Sequence, residues 1–168
     1  MNLQFYLEKL SFSDEFKKFM KENPDAYLCS GFFVIDKNPK SPDNKVHLDY
    51  FVPKGKKIFS FQFEEGIKLI ALDKIDEKIL EKISEKCEFE FEDMEKIISK
   101  EMEKQNVKNK IQKIMFSLQK NNGKNSLIGT IFISGLGMLK VNIDIFEKKI
   151  IEFEKKSLFD IIKVGKGK

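Results

Sequence analysis

The stretch from residue 110 to 153 constrains the fold most, because apolar and polar residues alternate along it with the period of a β-strand. Asn122-Gly123 interrupts the alternation, and this pair favours the type I′ turn of a β-hairpin because both residues tolerate positive φ. Gly135 and Gly137 bracket the next reversal. The stretch is therefore predicted to be an antiparallel meander of four strands.

The segment 127–133 of this meander is apolar on both of its faces. A strand that is apolar on both faces is typical of the interior of a sheet or of a sheet covered on both sides. We therefore expect this segment to be an interior strand or one that is covered on both faces.

The rest of the chain predicts helices and further strands. Helical spacing of apolar residues predicts helices at 3–10, 13–22, 76–86 and 92–105. Extended apolar segments predict strands at 26–36, 45–53, 56–63 and 67–71, and 157–164 fits either a last strand or a docking helix. Helix 76–86 has a narrow apolar stripe, so it is expected on the surface. The fold class is α+β, an antiparallel sheet with helices packed on one face, in one domain over 1–164 with a frayed tail at 165–168.

Two short segments of the chain occur twice in related form. VHLDYF (46–51) matches VNIDIF (141–146), and KKIFSF (56–61) matches KKIIEF (148–153). These matches favour two half-repeats, each made of a helix followed by antiparallel strands. The alternative is that hairpins of a Lys-rich β protein resemble one another without a repeat.

The half-repeats would cover approximately residues 11–72 and 89–164, joined by a helical connector at 74–88. Alignment by the sequence matches leaves strand 110–119 without a counterpart in the first half. Alignment by order from the helix pairs different strands. Both alignments remain open at this point, and both give an antiparallel sheet with helices.

The second half of the chain resembles PepSY-type domains in its helix, in the hairpin IMFSLQK-NNGK and in the strand VNIDIFEKKIIEF. Ile143 and Asp144 occupy positions of the family's Ile-Asp-Ala, while Ile145 replaces the Ala and FEKK replaces the usual Thr-Gly turn. The resemblance implies a small cystatin-like α+β module without catalytic residues. The family is thought to inhibit peptidases or to mediate protein interactions, often in extracytoplasmic settings.

All 31 basic residues are lysines, and with 27 acidic residues they give a net charge of +4. Arginine supplies the planar fork that binds guanine or phosphate through two hydrogen bonds at once, and lysine lacks it. A sequence-specific nucleic-acid reader is therefore not expected. Charges of both signs are interleaved, which is typical of a solvated surface.

The segment KGKKIFSFQF leaves one nucleic-acid alternative open. Phe59, Phe61 and Phe63 share one face of a strand and could stack single-stranded bases beside lysines. Three phenylalanines on one face of a strand are also typical of a buried core. Binding to single-stranded DNA that weakens steeply with salt would favour base stacking over a buried core.

The residues that carry chemistry are few. His47 is the single histidine, and it lies two residues from Asp49, a spacing that puts both on one face of a strand and could orient the imidazole. No serine or cysteine is tied to His47 by a motif. Cys29 and Cys87 lack metal-ligand spacing and are expected to be free thiols. We therefore predict no catalytic, cofactor-binding or metal-binding residues, and no enzyme.

The sequence shows no signal peptide and no apolar run long enough for a membrane span, so a cytoplasmic location and no membrane span are expected. The function expected is that of a non-enzymatic protein-interaction or regulatory module. Its contact surface would be an exposed sheet face or an edge strand that pairs with a partner. The partner would be another protein, and a homo-oligomer is compatible with this expectation. The alternative is a weak, Lys-driven binder of single-stranded nucleic acid.

Overall fold

The computed structural model describes residues 2–72, 80–84 and 86–157, together with the single positions 159, 162 and 165. These residues form three helices and eight strands. The elements are α1 (Leu3–Phe12), α2 (Asp14–Glu22), β1 (Tyr27–Asp36), β2 (Lys45–Val52), β3 (Lys57–Gln62), β4 (Lys68–Leu72), α3 (Phe91–Lys104), β5 (Ile111–Asn121), β6 (Lys124–Ile133), β7 (Gly137–Asp144) and β8 (Lys149–Ser157).

Side chains cap the first two helices. The side chain of Asn2 accepts a hydrogen bond from the Phe5 N–H of α1 at 2.8 Å. Ser13 does the same for the Phe16 N–H of α2 at 3.2 Å. These bonds satisfy backbone donors that have no partner within the helix. The predicted helices 3–10, 13–22 and 92–105 are thus present as α1, α2 and α3.

The eight strands form one antiparallel sheet in the order β4-β3-β2-β1-β5-β6-β7-β8. Strands β1 to β4 form one meander and strands β5 to β8 form another, and the β1–β5 ladder joins them with Phe33 opposite Phe116. The predicted meander over 110–153 and the antiparallel sheet are confirmed.

The two meanders can be compared strand by strand. Counted outward from the β1–β5 ladder, β2 corresponds to β6. The sequence matches instead place 46–51 on β2 against 141–146 around β7, which lies one strand further from the centre. The half-repeat and its boundaries at 11–72 and 89–164 stay predictions of the sequence.

The two predicted reversals of the second meander are turns with positive φ. Asn122 (φ 50°) and Gly123 (φ 76°) join β5 to β6 as predicted. At the next turn the positive φ values fall on Gly135 (78°) and Leu136 (58°). Gly137 already lies in β7, where a Cβ would come within 2.8 Å of the Ile133 side chain, so it is needed for close packing rather than for the turn.

One face of the sheet, which we call the buried face, forms the core together with residues of the helices. Its central side chains are at most 1% exposed: Phe33, Leu48, Phe61, Phe116, Leu127 and Val141. Phe19 of α2 meets Phe61 edge to face, with ring centroids 5.2 Å apart. Phe91 of α3 lies 4.9 Å from Phe33, again between ring centroids. The core is therefore rich in phenylalanine on both sides of the helix–sheet contact.

The alternating residues on the opposite side of the strands form what we call the half-exposed face. Its partly buried members are Phe32, His47, Met115, Ser117, Ile128, Thr130, Phe132, Met138 and Asn142. One corner of this face is buried by a smaller cluster that contains Cys29, Phe51 and Ile58. Segment 127–133 is an interior strand as predicted, and its second face is half-buried.

The predicted surface helix 76–86 is wrong over the residues that the structure describes. Residues 80–84 are not helical, and Ile83 is 2% exposed. The Ile83 N–H donates to the Leu28 carbonyl at 2.8 Å, so a bond to β1 replaces a bond within a helix. The carboxylate of Glu81 also accepts the N–H groups of the β5–β6 turn. These tertiary bonds outweigh the helical spacing of the isoleucines.

Three predicted segments lie wholly or largely outside the described residues. The first is 74–79 of the connector. The second is 157–164, of which only Ser157 in β8 and the single positions 159 and 162 are described. The third is the tail 165–168, of which only position 165 is described.

Candidate functional site

His47 lies on the half-exposed face and is held by a residue that the sequence did not indicate. Its Nε2 is 2.9 Å from Glu64 Oε1, and its ring lies 5.7 Å from the Phe32 ring. Asp49, the neighbour expected from the sequence, instead accepts a hydrogen bond from Ser30 Oγ at 2.7 Å. Serine, carboxylate and imidazole are therefore not arranged in series, because Ser30 donates directly to Asp49 and the imidazole pairs with Glu64.

The two cysteines are free, as predicted, and both are buried. Cys29 sits at a β-bulge between Leu28 and Ser30, and its Sγ donates to the Asp49 carbonyl at 3.3 Å. Burial, and secondarily the charge of Asp49, raises the pKa of Cys29 to about 12. Burial alone raises the pKa of Cys87 to about 11. Neither thiol has the lowered pKa of a reactive cysteine.

Both thiols are expected to resist alkylation in the folded protein. Only the thiolate reacts, so labelling by iodoacetamide at pH 8 should be about tenfold or more slower in native protein than in urea-unfolded protein. The raised pKa values also make stability fall with pH. The unfolded thiols ionise near pH 9 while the folded thiols stay protonated to about pH 11–12, so stability present below pH 9 is lost above it.

Mass spectrometry of alkylated protein with and without urea gives the labelling rates, and urea melts at pH 8 and pH 10 give the stability change. Cys87→Ala isolates the signal of Cys29. Equal labelling rates in the folded and unfolded protein would contradict the burial of both thiols.

The described part of the chain contains no group of three or more His, Cys, Asp or Glu residues placed to hold a metal ion. None of its helices is both long and apolar enough to cross a membrane.

A cleft of about 600 Å³ lies beside the C-terminal half of α3. In this cleft, Lys37 Nζ is 2.6 Å from Glu95 Oε2. A second, of about 560 Å³, includes Asp144, whose Oδ1 accepts the Glu147 N–H at 2.9 Å. These charged groups are engaged with one another or with backbone.

The phenylalanines of the base-stacking alternative belong to the core. Phe61 is completely buried, and the Phe59 ring centroid lies 5.3 Å from that of Phe19. Phe63 meets the ring of Tyr6 at 5.5 Å. Phe61 is therefore part of the core and offers no surface on which a base could stack. Phe59 and Phe63 are partly buried and pack against the core.

The two edges of the sheet differ in chemistry. In the described residues β4 pairs with β3 alone, and its sequence KLIAL contains a single charge. Leu69 is 38% exposed and Ile70 is 41% exposed. The opposite edge, β8, carries five charged side chains: Lys149, Glu152, Glu154, Lys155 and Lys156. Charged side chains on an edge strand discourage further pairing, so β8 is protected in a way that β4 is not.

Both sides of β4 carry apolar side chains. On the side of the buried face, Leu69 lies opposite Phe61 and the small Ala71 lies opposite Phe59. On the other side, Ile70 lies opposite Ser60. An added strand would therefore meet apolar side chains on both sides, as well as backbone groups of β4 that no strand among the described residues pairs with.

The sequence predicted a strand at 67–71 without its position in the sheet. The available signal was the contrast between KLIAL and KKIIEFEKK, because apolar and charged strands respond differently to being at an edge. No signal marked Glu64 as the partner of His47 or Glu81 as the ligand of the β5–β6 turn.

No family model and no curated protein matches this chain. A solved structure with a similar fold is that of a Clostridium difficile 630 protein named as a putative lipoprotein. It superimposes with a TM-score of 0.55 and 12% sequence identity, over 85% of this chain and 91% of that one. At this identity the likeness shows a shared mixed α and β fold and nothing further.

Proposed function

We propose that this chain is a non-enzymatic protein-interaction module that binds an extended segment of another polypeptide as an added strand along β4. The observation that carries the proposal is the apolar, unpaired edge of β4 within the described residues, with Leu69 and Ile70 partly exposed. Strand addition uses the backbone donors and acceptors of such an edge for affinity and the flanking side chains for specificity.

The groups that could do chemistry support a binding role. His47 pairs with Glu64 rather than with a nucleophile, and the Ser30 hydroxyl donates a hydrogen bond to Asp49. Burial keeps the thiol of Cys29 protonated near neutral pH. Each of these contacts is one that a structural role explains without a reaction.

The location of the contact surface is a choice between β4 and the half-exposed face. The helices would cover the buried face and leave the other face open to solvent. On that open face Lys113 pairs with Asp36 at 3.3 Å, and its apolar side chains are mixed with polar ones such as Ser117 and Asn142. The β4 edge is favoured because it combines unpaired backbone with contiguous apolar side chains.

The alternative of a single-stranded nucleic-acid binder has less support, because Phe61 is completely buried and the rings of Phe59 and Phe63 pack against those of Phe19 and Tyr6. The resemblance of the second half of the chain to PepSY-type domains agrees in kind with a protein-binding role. We place the function in the cytoplasm, which the two free thiols support.

A peptide selection tests the proposal. Random nine-residue peptides displayed on phage are selected on the wild-type protein and re-tested on Ile70→Lys, which puts a charge on the β4 edge. Ile151→Lys is the matched control, because Ile151 is also an exposed isoleucine on an edge strand, that of β8. Peptides that bind the wild type and the control should lose at least about tenfold in affinity for Ile70→Lys.

Hydrogen exchange locates the bound peptide. The backbone amides of 68–72 should become protected when a selected peptide binds, while those of β8 should not change. Peptides that bind all three proteins equally, or protection confined to another part of the chain, would contradict strand addition at β4.

A further inference from the structure

We propose that the β4 edge also takes a second copy of this chain, through antiparallel β4–β4 pairing about a two-fold axis at Ile70. This inference rests on the proposed function, since it needs β4 to accept a strand. The register follows from the length of the strand: a two-fold axis at the middle residue of Lys68–Leu72 uses all five residues. Ile70 then faces Ile70 of the second copy, and Leu69 faces Ala71 of the second copy.

The side chains of β4 are self-complementary in this register. Leu69 and Ala71 lie on the same side of the sheet, so each large side chain meets a small one across the new ladder. Ile70 meets its own copy on the other side, where an apolar pair is favourable. Lys68 lies opposite Leu72 of the second copy, so the two lysines are not opposed and the aliphatic stem of Lys68 can pack on Leu72.

The other edge of the sheet fails the same test. A two-fold axis at the middle residue of β8, Phe153, would put Glu152 opposite Glu154 of the second copy, and this pair would occur twice. Like charges directly opposite each other destabilise a sheet, so β8 is not self-complementary in the register that uses its whole length. The β4 edge is therefore self-complementary in its central register, whereas the β8 edge would bring like charges together.

The contact is small and the dimer should be correspondingly weak. Five residues on each side bury less than the roughly 1,600 Å² of a standard interface. A dissociation constant of about 1 µM to 1 mM is therefore expected, and dimer should appear as concentration rises.

Sedimentation velocity of the full chain between about 5 and 500 µM tests the inference. The wild type and Ile151→Lys should shift reversibly from monomer to dimer, while Ile70→Lys stays monomeric. Far-UV circular dichroism establishes that Ile70→Lys is folded. A wild type that stays monomeric throughout, or a dimer that persists in Ile70→Lys, overturns the proposal.

Disulfide trapping keeps the inference testable if the lysine variant does not fold. In Ile70→Cys the two introduced thiols face each other, and opposite residues of an antiparallel pair have Cα atoms about 4.5–5.5 Å apart, within the range of a disulfide. Mild oxidation should give a covalent dimer of this variant and not of Ile151→Cys. The native cysteines are buried and do not compete. Equal cross-linking of both variants overturns the two-fold arrangement.

The outcomes separate this inference from the proposed function. If the wild type stays monomeric but binds selected peptides in an Ile70-dependent way, β4–β4 pairing is overturned and the proposed peptide binding along β4 stands. If the protein selects no peptides but forms a dimer that depends on Ile70, β4–β4 pairing is supported and the proposed binding of other proteins is overturned.

Discussion

Phe61→Ala is expected to lower the free energy of unfolding by about 3–5 kcal/mol. Phe61 is completely buried, and its ring lies within 5.6 Å of the rings of Phe16, Phe19 and Tyr50, measured between centroids. The substitution loses the free energy gained by transferring the ring from water into the core, and it leaves a cavity between α2 and the sheet. Urea denaturation followed by circular dichroism measures the change.

Phe146→Ala provides the control for this substitution. Phe146 is 92% exposed, so its replacement should change the free energy of unfolding by no more than about 0.5 kcal/mol. A loss below about 1 kcal/mol for Phe61→Ala would contradict the packing of α2 on the sheet. The free energy of unfolding of a domain of this kind is about 5–15 kcal/mol, so the expected loss for Phe61→Ala is a large part of it.

Gly129→Ala is expected to cost about 1–3 kcal/mol by overpacking. Gly129 lies on the buried face of β6, where a Cβ would come 2.7 Å from Val141 Cγ2 and 3.2 Å from Phe116 Cε1. Val141 is 1% exposed and β-branched, so it has little room to move away. The same urea melts measure the cost.

A double-mutant cycle identifies the cause of that cost. Val141→Ala removes the methyl group that the new Cβ would meet, so Gly129→Ala with Val141→Ala should be less destabilised than the sum of the single variants by about 1 kcal/mol. Additive effects would mean that the cost of Gly129→Ala does not come from this contact.

Local chemistry made much of the second half of the chain predictable. The alternation over 110–153 reports which side of a strand faces the core, and the burial of Ile114, Phe116 and Leu118 follows it. Asn122-Gly123 located the β5–β6 turn because few residue pairs tolerate two positive φ values in succession. Ser13 at the start of α2 is of a residue type that helix N-caps favour, and its side chain accepts a hydrogen bond from the Phe16 N–H.

The order of strands in the sheet could not be predicted in the same way. The β1–β5 ladder pairs residues on the order of 80 positions apart, and no local pattern specifies which apolar strand lies beside which. The prediction of a helix in the connector was wrong for a related reason. Ile83 fitted a helical stripe, but its backbone bonds to Leu28, which local spacing does not reveal.

The candidate site depends on the same long-range information. An edge is a position in the strand order, so the exposure of β4 follows from the sheet and not from KLIAL alone. His47 illustrates the limit for single residues. Its partner Glu64 follows β3, and the β2–β3 register brings the two together even though Asp49 is nearer in sequence.

The β1–β5 ladder has a consequence for the rate of folding. Within each meander, neighbouring strands are joined by connections of eight residues or fewer, so every ladder except this one closes a short loop. The β1–β5 ladder closes a long one, and the entropy lost in closing a loop grows with its length. We therefore expect each meander to gain structure early and the joining of β1 to β5 to limit how fast the whole sheet forms.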